Sequence, residues 1–181
     1  RRIVDADNSC LFNALGHLLF DRIAGLAPAM RRVVAETVQA DPHTFSTAVL
    51  GKTAEEYATW IQKSSSWGGD VELNILSRYF ATEVVALDVR TGVQHRFGQG
   101  AGYGRLVGVV FDGIHYDALV AAGDGALAGE EVTVFSPDDT AFLADGAALV
   151  AQMRAARQFT DVETFTLMCM VCNERLRGQR E

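Results

Sequence analysis

Two residues far apart in the chain, Cys10 and His115, are of the types that together carry out nucleophilic acyl transfer. A thiol attacks a carbonyl as its thiolate, and a neighbouring imidazole can take the proton. Cys10 follows Asp7-Asn8-Ser9 and heads an apolar pattern, Leu11, Phe12, Leu15, Leu18 and Leu19, with the spacing of an amphipathic helix. Asp, Asn and Ser are helix-capping types. Cys10 is therefore expected in or beside the first helical turn, where free N–H groups and the positive end of the helix dipole favour a thiolate. The competing reading is a core cysteine, because free cysteines are among the most buried residue types.

The candidate bases are His17, His43, His95 and His115. His17 lies on the same expected helix as Cys10, two turns on, and is too distant to bond its sulfur; it reads as a surface or edge residue. His43 follows Asp41-Pro42 at an exposed helix start, and His95 sits within a hairpin with no acid close by. His115 opens a strand after the tight-turn pair Asp112-Gly113, with Asp117 two residues on. Side chains two apart on a strand share a face, so Asp117 can hold the ring and leave the other nitrogen for Cys10. The competing reading is a surface His–Asp pair. Asp7 is the second candidate acid; it either orients the base or braces the loop before Cys10 through backbone N–H groups. Strand geometry favours Asp117 for the orienting role.

Cys169 and Cys172 form a Cys-x-x-Cys pair near the end of the chain. A zinc finger needs four ligands, and no histidine follows before Glu181, so the pair amounts to half of a site. No thioredoxin-like unit surrounds it. The odd total of three cysteines argues against a disulfide framework and for a reducing compartment. A net charge of −7 argues against a general nucleic-acid binder. No apolar run is long enough for a bilayer span, so neither nucleic acid nor membrane is expected as a partner. With 181 residues, 49% of them hydrophobic, the chain suits one ordinary domain with a small appendage. It starts at Arg1 without a methionine and reads as a piece of a longer protein.

The elements that must position these groups follow from pattern. The Cys10 helix is expected to run to about Asp21 or Arg22. Pro28 suits the first turn of a second helix carrying Met30, Val33, Val34, Thr37 and Val38. A short helix with Phe45, Val49 and Leu50 follows, closed by Gly51. Thr53 to Glu56 reads as a capping box, opening a helix with Tyr57, Trp60 and Ile61 inward. Ser64 to Gly69 is a loop. Asp70 is expected to cap a helix burying Val71, Ile75, Leu76 and Tyr79. Strands are expected over Thr82–Asp88, Val93–Phe97, Leu106–Phe111, Ile114–Val120 and Val132–Phe135. A glycine-rich loop spans Gly98 to Gly104, and a mobile Gly/Ala-rich stretch spans Ala121 to Glu130. Ser136 to Asp139 starts a long helix through about Arg157, and Thr164 to Met168 is extended. Helices first, then an antiparallel-looking sheet, then one helix give an α+β fold.

These residues also carry a family resemblance. The blocks Asp7-Asn8-Ser9-Cys10-Leu11-Phe12, Trp67-Gly68-Gly69-Asp70-Val71-Glu72-Leu73 and Phe111-Asp112-Gly113-Ile114-His115-Tyr116-Asp117 resemble those of the ovarian-tumour (OTU) deubiquitinases. The resemblance is greatest to the branch containing yeast Otu and its vertebrate YOD counterpart. That branch also has Arg96-Phe97-Gly98, Val134-Phe135-Ser136 and Arg157-Gln158-Phe159-Thr160-Asp161-Val162.

The resemblance implies a papain-like fold, a small central sheet flanked by helices, with a catalytic domain over 1–163 and a truncated C2H2-type zinc finger over 164–181. It implies a cysteine isopeptidase that cleaves after the C-terminal glycine of ubiquitin, without a catalytic cofactor. Cys10 would be the nucleophile, His115 the base, Asp7 the acid beside the nucleophile and Asp117 the orienting acid. Val4 to Cys10 would be the Cys-loop and supply the oxyanion hole, Asn8 and Ser9 lying in it. Ile114 would touch the ubiquitin tail, and Trp67, Gly68 and Gly69 would wall a narrow channel, although Trp67 serves equally as a core anchor. Polyubiquitin of atypical linkage would be the substrate, with a second ubiquitin held near Asp139 to Leu143. A hexameric AAA ATPase of the valosin-containing type would be a partner through an N-terminal domain outside this chain. Zinc would bind Cys169 and Cys172 only in the longer protein, and the location would be cytoplasmic. The alternatives are a non-catalytic ubiquitin-binding module and a hydrolase of another ubiquitin-like modifier.

Overall fold

A computed structural model describes residues 1–20, 25–123, 130–161, 166–168 and 175–177. Five helices come first: α1 (Cys10–Leu19), α2 (Ala27–Ala40), α3 (Thr47–Leu50), α4 (Ala54–Ile61) and α5 (Asp70–Tyr79). The strands β1 (Glu83–Asp88), β2 (Gln94–Phe97), β3 (Leu106–Phe111) and β4 (Tyr116–Leu119) then form one sheet in the order β2-β1-β3-β4. The short strands β5 (Ala121–Ala122) and β6 (Glu131–Val132) pair with each other, and α6 (Thr140–Ala155) follows. Last come β7 (Thr166–Met168) and β8 (Arg175–Arg177), an antiparallel pair.

The sheet is mixed rather than antiparallel. β1 and β3 run parallel, Val84 opposite Val107, while β1–β2 and β3–β4 are antiparallel. After the β1–β2 hairpin the chain must cross β1 to pair on its other side. The glycine-rich stretch makes that crossing. Gly98 has φ +77, and a Cβ there would lie 2.4 Å from the Ser77 hydroxyl, so both the turn and the packing demand glycine.

The sheet's two faces carry two cores, as alternation along a strand requires. Val84 and Ala86 of β1, with Val107 and Val109 of β3, pack against α1, α2, α4 and α5 through Phe12, Leu15, Val34, Ile61 and Leu76. Val85 and Leu87, with Leu106 and Val110, face α6 through Phe142, Val150 and Met153. That is why β1 and β3 read as continuous apolar runs.

Several local expectations are corrected. Ser9 precedes α1 but makes no side-chain cap. Gly69, not Asp70, is the cap residue of α5, and its N–H is taken by the Glu72 carboxylate at 2.7 Å. Val49 is 57% exposed, and Tyr79, the last residue of α5, is 62% exposed and meets Phe80 edge-on. Phe135 contributes only an isolated bridge to Leu106 rather than extending a strand from Val132. α6 ends at Ala155, two residues before Arg157. The capping box at Thr53 and Glu56 is as expected. The expected mobile stretch lies largely at 124–129, outside the described residues, as do Asp21 and Arg22. Among the described residues no helix is long and apolar enough to cross a membrane.

Candidate active site

Cys10 is the first residue of α1 and is half-buried. Burial raises its thiol pKa above the ordinary value, and the Asp7 carboxylate adds to that rise. Backbone N–H groups of Tyr116, Leu11 and Cys10 itself act in the opposite direction without overcoming the burial. The expectation that the helix terminus favours a thiolate is outweighed here by burial. The Tyr116 contact places the Cys10 thiol beside the first residue of β4, next in sequence to His115.

His115 closes the turn between β3 and β4. The Asp112 carboxylate accepts the N–H groups of Ile114 at 3.1 Å and His115 at 2.8 Å, and the Asp112 N–H donates to the His115 carbonyl at 3.1 Å. Phe111 and Tyr116 stack across the hairpin with centroids 4.5 Å apart. The ring Nε2 of His115 lies 3.0 Å from Asp117 Oδ1. With the carboxylate as acceptor, Nε2 is the donor of this pair, and Nδ1 is the ring nitrogen not engaged by Asp117. Asp117 is itself fixed, with Oδ1 accepting the Val4 N–H at 3.1 Å and Oδ2 facing Arg1 at 3.3 Å.

Asp7 stands elsewhere. Its carboxylate accepts the Ser9 N–H at 2.8 Å and the Asn13 side-chain amide at 3.1 Å. It tightens the loop before Cys10 and has no contact with His115. The Asn8 N–H has no partner among the described residues, and the Cys10 N–H makes only a long 3.3 Å turn bond to the Asp7 carbonyl. The Asn8 N–H is a donor open to an oxyanion, and the Cys10 N–H would have to exchange its long turn bond for one.

A cleft of about 450 Å³ runs past this arrangement, lined by Asp7, Asn8, Trp67, Ile114, His115 and Asp117 among others. Trp67 is no core anchor: it is 51% exposed, and its Nε1–H donates to Asn8 Oδ1 at 2.7 Å, joining the two walls. Ile114 is 41% exposed at the mouth. Gly68 lies against the Phe12 ring, where a Cβ would approach to 3.1 Å, so its smallness serves packing beneath the cleft. Gly69 opens α5. His17 faces Glu131 at 3.1 Å rather than Cys10, and His95 is exposed.

Sequence reading missed the residue that carries the Cys-loop. Arg31 on α2 is 2% exposed and donates to the carbonyls of Ile61 at 2.8 Å and Asn8 at 2.9 Å and to the Ser9 hydroxyl at 3.1 Å. Its guanidinium covers the Phe12 ring at 4.3 Å. Nearby Glu72, 1% exposed, accepts the Tyr57 hydroxyl at 2.7 Å. The signal was Arg31's place on the Ala27–Val34 stripe of α2, obscured because Arg31-Arg32 looks like a solvated pair.

The family model of the OTU-like cysteine proteases matches residues 5–107. The chain belongs to that family. "Ubiquitin thioesterase OTU1" of Danio rerio is 44% identical over 186 residues, covering all of this chain and 60% of that one. The protein of the same name from Homo sapiens is 42% identical over 183 residues, covering 52% of its length. This OTU chain therefore spans little more than half of the curated relatives it matches. Its fold is shared with a solved OTU domain in complex with ubiquitin, with a TM-score of 0.78 and 28% identity over 88% of each chain. The fold is thus α+β and of the OTU type. Among the described residues no cluster of three or more His, Cys, Asp or Glu side chains could hold a metal ion. Cys169 and Cys172 lie outside the described residues.

Proposed function

We propose that this OTU domain is the catalytic part of a cysteine deubiquitinase. The observation that carries the reading is the placement of the Cys10 thiol against the Tyr116 N–H, next in sequence to His115, whose Nε2 meets Asp117 in a cleft that Trp67 and Ile114 also line. The proteins named ubiquitin thioesterase and the ubiquitin complex of the shared fold supply the substrate class.

In the proposed reaction His115 Nδ1 takes the Cys10 proton as the sulfur attacks the carbonyl of ubiquitin's C-terminal glycine. The resulting oxyanion is held by backbone N–H groups of the Cys-loop, those of Asn8 and Cys10 being available. The imidazolium, held by Asp117, gives its proton to the departing lysine amine, and the C–N bond breaks. Water then loses a proton to His115 and attacks the thioester, which releases the ubiquitin carboxylate and restores the thiol. No cofactor enters these steps. The raised thiol pKa fits a proton transfer that is coupled to substrate arrival, since a tail that fills the cleft expels the water that would otherwise surround the imidazole.

Finer parts of the reading rest on the resemblance to the yeast Otu and YOD branch. They are a preference for atypical linkages, quality-control work with an AAA ATPase, a cytoplasmic location, a catalytic domain over 1–163 and a zinc finger opening at Cys169 and Cys172. The test is intact mass after incubation with ubiquitin bearing a C-terminal electrophile. Wild type should gain one ubiquitin, Cys10→Ala none, and His115→Ala should react slowly. A folded wild type that stays unmodified refutes the reading; chain binding without modification would instead favour a non-catalytic module.

A further inference from the structure

The histidine turn lies beyond the residues the family model matches, and it is gripped by a segment from the far end of the domain. Past the end of α6, Arg157 takes φ +55, a left-handed conformation that glycine would adopt more easily. The reversal is closed by the Arg157 N–H on the Arg154 carbonyl at 3.0 Å and the Gln158 N–H on the Met153 carbonyl at 2.9 Å. Phe159 then packs on the α6-side core.

Thr160 reaches the turn itself, its N–H donating to the Asp112 carbonyl at 2.7 Å. Gly113 has φ +108, and a Cβ there would lie 2.0 Å from the Thr160 carbonyl oxygen. The two backbones are therefore closer than any side chain at 113 would permit. Asp161 continues to Arg90, just past β1, at 3.7 Å. Asp112 is the residue whose carboxylate holds the N–H groups of Ile114 and His115. The mechanical path thus runs from Thr160 through Asp112 to the imidazole.

We infer that residues 157–161 are a strap that positions the His115 turn for catalysis, with Thr160 acting through its backbone N–H. A short turn containing a positive-φ glycine has several accessible shapes, and its internal bonds alone do not fix its height over α1. The strap supplies a backbone contact from outside the hairpin. Since a misplacement of about 1 Å at a reacting group costs on the order of 10²-fold in rate, loosening the strap should be visible in turnover although no strap side chain enters the cleft. The consequence for turnover rests on the deubiquitinase reading; the mechanical claim does not.

The test uses the full chain with Arg157→Pro, whose fixed φ near −65° cannot follow the reversal and whose nitrogen cannot bond Arg154. Expected is a fall in kcat on a ubiquitin-tail substrate of about ten- to a hundredfold with KM within about threefold. Backbone amide exchange at Ile114 and His115 should accelerate with it. Arg157→Gly, which accepts the left-handed backbone, should keep both wild-type values. Gly113→Ala displaces the strap from the other side, and in the Arg157→Pro background its further loss should be smaller than in wild type, because the clash with Thr160 has been relieved. A folded Arg157→Pro with wild-type kcat and exchange, or strict additivity of the two substitutions, overturns the strap. If Arg157→Pro does not fold, Gly113→Ala decides alone, and wild-type exchange at Ile114 and His115 in that variant overturns it. A wild type without ubiquitin-tail turnover would sink the deubiquitinase reading, and the exchange rates would still decide the strap.

Discussion

Replacing Arg31 by methionine should cost the folded chain about 3–5 kcal/mol, the range for removing one partner from a buried charged network. Methionine roughly preserves the volume and removes every donor. The Ile61 and Asn8 carbonyls and the Ser9 hydroxyl each lose a charged partner, at 2.8, 2.9 and 3.1 Å. The Phe12 ring loses the cation above it. These terms share one side chain and do not sum, so the network range applies rather than three separate bonds. For a domain of this size each kcal/mol shifts Tm by about 2–4 °C, so a fall of roughly 6–20 °C is expected. Urea unfolding followed by tryptophan fluorescence measures the loss directly. Glu72 gives a second signature. Burial raises its pKa above the usual 4.5, and Arg31 is one of the groups opposing that rise. Without Arg31 the folded-state value moves further up. A carboxyl that holds its proton more tightly when folded contributes stability below its unfolded pKa and loses it as pH rises through the folded value. The Arg31→Met deficit should therefore be larger at pH 8 than at pH 5. A loss under about 1 kcal/mol, or a deficit that shrinks as pH rises, would refute the role given to this residue.

Asp117→Asn should lower kcat by about 10²–10⁴-fold with little change in KM, because the imidazolium loses its charged partner and the ring its fixed tautomer. Asp7→Asn should cost far less in kcat and show itself mainly in stability, since Asp7 braces Ser9 and Asn13; steady-state kinetics on the two variants side by side would expose a reversal of roles. Alkylation of Cys10 by iodoacetamide in the absence of substrate should keep accelerating up to pH 9, as burial holds its thiol pKa above the ordinary value; a rate plateau between pH 5 and 7 would show a preformed thiolate instead. Gly68→Ala should destabilise by about 1–3 kcal/mol through overpacking on Phe12, read as a drop in the urea midpoint with the m-value unchanged.

Local patterns carried much of the fold. The periodicity from Leu11, the capping box at Thr53 and the Asp112-Gly113 turn each depend on residues within a few positions of one another, and each stands near where the sequence puts it. What failed was non-local. The direction of β3 against β1 is decided by a crossing that the glycine-rich stretch permits, and nothing in either strand's own residues encodes it. Likewise Val49 and Tyr79 sit on apolar stripes, yet whether a stripe is covered depends on which element arrives from elsewhere in the chain.

The same division runs through the candidate site. His115 closes the turn and Asp117 lies two residues on in β4, so their pairing is local to one hairpin. Asp7 to Ser9 is equally local. Arg31, Arg1 and Thr160 reach their partners across 23, 116 and 48 residues of chain (31 − 8, 117 − 1, 160 − 112), and no spacing rule brings them into view. Cys10 shows the limit most sharply, because its place at a helix start and its burial disagree. Backbone N–H groups of the helix start and of Tyr116 favour a charged sulfur, and burial together with the Asp7 carboxylate opposes it. Burial prevails. The pairing of His115 Nε2 with Asp117 leaves Nδ1 as the ring nitrogen that the proposed reaction uses to take the Cys10 proton.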